Sequence, residues 1–154
     1  IILKEFIMNI IKKILPICIV FFLIIFAICI FGLNDIQLKI YELQLKAQKL
    51  PENTEFIEMQ SVLGKLNGTG NGINFLNTML IHSDLTLDEL ENYYTDMGLD
   101  VIKQTNCKFI HKLLEHGAEI EYDSLVDKTL IENYYVVIQY KSGNAWNDFD
   151  IRGH

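Results

Sequence analysis

Gly68-Thr69-Gly70-Asn71-Gly72, inside the run GKLNGTGNGINF, comes nearest to a chemical motif in this sequence. Glycine-rich loops can turn backbone amides toward a phosphate. A dinucleotide fingerprint needs G-x-G-x-x-G opening a helix; here Ile73 takes the last glycine's place and a β-rich run follows. A P-loop needs lysine and Ser/Thr after its final glycine, and Ile73-Asn74 supplies neither. The pattern fits a hairpin loop better. Asn-Gly pairs at 67–68 and 71–72 tolerate φ > 0 and are common turn chemistry between strands. Asn67, Gly68, Gly70, Asn71 and Gly72 remain a candidate ligand or partner loop, acting through backbone amides.

The other reactive side chains do not assemble by spacing. Cys107 and His111 stand i, i+4 and would share a helical face, but that is half a metal site. His116 lies more than a turn further on, and no Cys-x-x-Cys follows. Ser83-Asp84 comes directly after His82, whereas the members of a triad come from distant segments. Asp84 and Asp88 lack the glycine turn and closing glutamate of a calcium loop. The pairs Tyr93-Tyr94 and Tyr134-Tyr135 read as half core and half surface. No catalytic set, metal or cofactor is expected.

The position of these residues depends on the apolar run before them. Ile14 to Leu33 holds no charged residue. As a helix it covers the ~30 Å hydrocarbon core of a bilayer. It exceeds the ~7–15 apolar residues of a signal peptide and lacks a small-residue cleavage site, so an uncleaved anchor is expected. Pro16 is placed in its first turn, where the missing N–H costs little. Lys4, Lys12 and Lys13 precede the span, which puts residues 1–13 in the cytoplasm and the C-terminal part outside. Met8 opens MNIIKKILPICIVFF and reads as a natural start. Cys18 and Cys29 lie within the span, which leaves Cys107 without an exported partner for a disulfide.

Residues 34–50 continue as a helical stalk. Ile36, Ile40, Leu43, Ala47 and Leu50 form one stripe, widened by Leu38, Tyr41 and Leu45. The stripe needs the globular domain or a second stalk as partner, so self-association through 36–50 is an expectation. Pro51 ends the helix.

Beyond it, residues 51–154 carry seven basic and seventeen acidic residues, a net of −10. That charge disfavours nucleic acid and anionic lipid. The patterning predicts α+β: strands over 54–66 and 73–83, and a helix capped by Thr86 with Glu89 as capping box. Leu87, Leu90, Tyr94 and Met97 form its buried face, and Gly98 stops it. Strands follow over 99–104, 118–125 and 132–141, with a last edge strand in AWNDFDI; 107–117 is ambiguous between helix and strand. The order is ββαβ(α)ββ, a small mostly antiparallel sheet with one main helix packed on a face.

The run GKLNGTGNGINFLNTMLIHSDLTLDELENYY resembles a group of small single-pass proteins of low-GC Gram-positive bacteria. Their outer domains carry a G-N-G-N-G loop, a β-strand, Ser-Asp-Leu and a helix ending in Tyr-Tyr. Gly68, Gly70 and Gly72 keep that frame, and Thr69 departs from the expected asparagine. The resemblance implies architecture and no activity. Together these features predict a membrane-anchored extracytoplasmic module that binds a cell-envelope protein. The alternative is an envelope enzyme or small-ligand sensor using loop 68–72.

Overall fold

A computed structural model describes residues 2–66, 72–109, 120–128, 131–143, 145–148 and 150–153. The first helix, α1, runs Ile2–Phe31, and a second, α2, spans Leu33–Lys46. Pro16 therefore sits in the interior of α1 and not in a first turn, because the helix begins well before it. The window Ile10–Ile28 is long and apolar enough to cross a membrane, with mean hydropathy 2.6 and none of it buried. The interruption between the helices is confined to Gly32. The Gly32 amide still donates to Ile28 O, and the Ile36 amide to Gly32 O.

The remainder is an α+β fold. Its strands are β1 (Thr54–Gly64), β2 (Asn74–Ser83), β3 (Asp100–Lys103), β4 (Lys108–Phe109), β5 (Ile120–Glu121) and β6 (Tyr134–Ser142). Two helices lie among them: α3 (Leu87–Thr95), between β2 and β3, and the single turn α4 (Asp123–Val126), between β5 and β6. The main sheet has the order β1-β2-β6-β3 and is antiparallel throughout. Among the described residues β4 and β5 pair only with each other.

Alternation of side chains across the sheet makes two cores. One face carries Leu76, Leu80, Val136 and Ile138, covered by Phe109, Ile120, Tyr122 and Leu125. The other carries Met79, Ile81, Tyr135 and Val137, packed against Leu45 of α2 and Leu90 and Tyr94 of α3. β6 is buried on both faces from Tyr134 to Gln139, which explains its near-continuous apolar run. Thr86 caps α3 with the expected capping box, and Gly98 takes φ +67 just beyond the helix.

Several expectations are corrected. Residues 34–50 are not helical to the end, since α2 stops at Lys46. The predicted stripe is the buried face only in part: Leu45 on its widened margin is wholly buried and Leu50 packs against the same core. Ile36 and Leu43 are exposed, while Asn34, Gln37 and Leu45 are buried. Polar Asn34 and Gln37 are buried because the C-terminal segment hydrogen-bonds to them, a partner that helical periodicity cannot see. Met97 is exposed because α3 ends at Thr95, before the turn that would carry it inward. Residues 120–126 form a two-residue strand and then α4, whose first amides are taken by Glu58: Asp123 N and Ser124 N both donate to its carboxylate. The 145–153 segment adds no edge strand. It ends in a short 3-10 turn at Ile151–Gly153. Most of the ambiguous stretch, 110–117, lies outside the described residues.

Candidate functional site

Most of the polar residues buried among the described ones gather toward the end of the sheet nearest α1, with Ser83 and Gln104 buried elsewhere. Asn34 and Gln37 come from α2, Asn74 and Asn77 from β2, Gln139 from β6, and Asn147 and Asp150 from the C-terminal segment. A buried polar side chain must find partners inside the protein. Asn34 Nδ2 donates to Asn147 O at 2.9 Å and to Asp150 Oδ2 at 3.1 Å. The Asn147 amide donates back to Asn34 Oδ1 at 3.1 Å. Asn147 Nδ2 reaches Ile30 O in the last turn of α1, at 3.0 Å. The Trp146 amide donates to Gln37 Oε1 at 2.8 Å. The segment after β6 is thus fastened side chain to backbone along the α1–α2 junction.

Charge completes this clasp. Arg152 donates to both oxygens of Asp35, at 2.9 and 2.8 Å, a bidentate fork. It also donates to Asp150, through Nε at 2.9 Å and Nη2 at 2.6 Å. These hydrogen bonds, led by that from the Arg152 side chain, outweigh burial and hold the Asp150 carboxyl down at about 2. The same partners raise the Arg152 guanidinium further above its ordinary value.

The glycine loop is tied to this clasp. The β1–β2 ladder closes at Gly64 and Asn74, so the connection runs over 65–73 and no two-residue Asn-Gly turn joins the strands. The strands part early because the amides at the loop base bond elsewhere: Lys65 N to Arg152 O at 2.8 Å and Gly72 N to Gly153 O at 2.9 Å. Of the five candidate loop residues, Gly72 alone is described; Asn67, Gly68, Gly70 and Asn71 lie outside the described residues. Gly72 has φ +145, a backbone conformation that L side chains rarely adopt, while a Cβ at Gly72 would meet nothing within 4 Å, so the constraint there is conformational. Gly72→Val should therefore destabilise the domain by roughly 1–3 kcal/mol, the usual cost of a strained backbone position. Chemical denaturation of the purified chain measures it; an unchanged midpoint would remove the conformational requirement.

Cys107 is half-buried with Sγ 4.0 Å from Glu121 Oε1, and its proposed metal partner His111 lies outside the described residues. Among the described residues no group of three His, Cys, Asp or Glu side chains converges on a metal position.

At the opposite end of the sheet, Asn53, Thr54, Glu55, His82 and Asp84 line an open cleft of about 460 Å³. Glu55 and His82 are cross-strand partners. The His82 ring meets Tyr134 edge-on at 5.0 Å. Behind them the Thr54 and Ser83 hydroxyls are 2.7 Å apart. Sequence reasoning placed His82 only beside its chain neighbours. Its pairing with Glu55 follows from the hairpin register, which changes at a bulge between Phe56 and Glu58.

No protein-family model, curated protein or solved structure matches this chain.

Proposed function

We propose that the protein is a membrane-anchored, extracytoplasmic interaction module of the cell envelope, holding a partner protein at the cell surface. The observation that carries this reading is the free edge of the main sheet. β1 is eleven residues long and, among the described residues, pairs on one side only, with β2. An unpaired strand edge offers a row of amides and carbonyls to an extended segment of another chain, the β-augmentation mode of recognition. Its far half is guarded by the bulge and by Glu55 and Glu58. Its other half, Met59 to Gly64, carries no charge and stays in regular register with β2.

Two further features support the reading. α1 has the length and apolar surface of an anchor. The clasp joins α2 and the end of α1 to the sheet, so a partner held at β1 would be held at a fixed height above the bilayer. The glycine-loop alternative gains nothing from Gly72, whose amide is already spent on Gly153 O.

A photo-crosslinking side chain at Gln60, in whole cells, tests the partner. One dominant envelope-protein adduct is expected, with none from the same group at exposed Met97. Equal adducts at both positions, or none, would discard the edge reading. Topology has its own test. Protease added to intact cells should digest the chain beyond Asn34, and full protection of that part would reverse the orientation.

A further inference from the structure

We propose that Trp146 and Ile151 seat the α1-proximal face of the domain on the headgroup layer of the bilayer that α1 crosses. The inference rests on the anchor reading above and adds a second contact with the same membrane.

Both side chains lie uncovered, Trp146 at 55% exposure and Ile151 at 67%. They are not on a wandering tail. Trp146 is held through its amide to Gln37, and Ile151 stands between Asp150 and Arg152, which pair with Asn34 and Asp35. The Asn147 side chain bonds the carbonyl of Ile30, in the last turn of α1 and close to Leu33, where the uncharged run ends. The clasp thus begins where the apolar run gives way to Asn34 and Asp35, the depth at which the anchor reading puts the headgroups. Ile36, on the same stretch of α2, adds a third exposed apolar side chain.

A large aromatic with one polar edge suits this depth. Indole rings collect at membrane–water interfaces, with the ring among the acyl carbonyls and the N–H toward water. Exposed Asp35 and Asp148 flank the patch, and Arg152 is already paired with Asp35 and Asp150. The patch therefore has no positive excess to favour anionic lipid, and its occupant is a zwitterionic headgroup layer reached by apolar contact. The carboxylates limit the depth to that layer.

Trp146 is the single tryptophan of the chain, so its emission reports this contact alone. The full chain is reconstituted in phosphatidylcholine vesicles with lipid brominated high on the acyl chain, a contact quencher of indole. Loss of most of the Trp146 emission is expected, with partial recovery in Ile151→Asn. In the double variant Trp146→Phe, Phe56→Trp the indole moves eight positions along β1 from Gly64, roughly 25 Å, and emission should survive. Trp146 emission untouched by brominated lipid, or equal quenching of the relocated indole, would overturn the seat while leaving the anchor intact. Failure of the chain to float with the vesicles would instead overturn the anchor reading, and the seat with it. If the double variant does not fold, quenching of Trp146 and its relief in Ile151→Asn decide the matter.

Discussion

Arg152→Ala is expected to lower the stability of the domain by about 1–3 kcal/mol. Breaking a fully buried ion pair costs about 3–5 kcal/mol, because one charge is left in the interior without compensation. Asp150 would be such a charge, being wholly buried between Arg152 and Asn34. The figure is set lower because the Arg152 side chain is itself 36% exposed, and water would enter where it stood. The substitution has a pH signature as well. The folded-state pKa of Asp150 is depressed to about 2, chiefly by its hydrogen bond from Arg152. A depressed carboxyl contributes stability that is fully present above the unfolded value of about 3.9. That contribution is lost as pH falls toward 2. Glu58 is also lowered: burial raises it, and the hydrogen bonds from Ser124, Gln60 and Asp123 together outweigh that. The diagnostic quantity is therefore the difference between wild type and Arg152→Ala. That difference should be constant near neutral pH and shrink between pH 4 and 2. A difference that stays flat down to pH 2 would mean that Arg152 stabilises through packing and not through Asp150.

Leu45→Ala should cost about 2–4 kcal/mol, the range for emptying a buried leucine site. Leu45 is wholly buried and packs in the core formed by Met79, Ile81, Leu90 and Val137. Leu43→Ala, two positions away on the same helix, should change stability by less than about 0.5 kcal/mol, since Leu43 is 55% exposed. Denaturant midpoints of the two variants provide the comparison. The contrast bears directly on the second helix. If α2 were a free stalk zipped along the 36/40/43/47/50 line, with Leu45 on its margin, Leu43 would cost at least as much as Leu45. Equal losses would mean that both faces of α2 are covered.

These two residues show where periodicity stopped being informative. In residues 33–46 the apolar side chains make one broad stripe, and its period does not say which margin, Leu43 or Leu45, turns inward. The stripe actually buried includes Asn34 and Gln37, which a hydrophobicity pattern scores as solvent-facing. Their burial is stabilised by partners more than a hundred positions away, Asn147 and Asp150 for Asn34 and the Trp146 amide for Gln37. Nothing local to α2 announces them. The same holds for Glu58, whose carboxylate takes the first amides of α4 from across the fold.

The sequence by itself determined the elements whose signals are local. The uncharged run fixed the long apolar helix, because a continuous apolar surface is written residue by residue. Thr86 with Glu89 fixed the start of α3, because a capping box closes within four residues. The strand β6 was legible because β-branched and aromatic residues suit a strand buried on both faces. Tertiary structure alone decided that β6 enters between β2 and β3, so that β1 stands at the edge of the sheet that the described residues form. It also decided that Trp146, Asn147, Asp150 and Arg152 bind back to α2 and its junction with α1. Both outcomes depend on pairings between distant segments, where the competing arrangements have the same local chemistry. They differ only in which buried amides, carbonyls and charges find partners, and that is settled when the whole chain closes on itself.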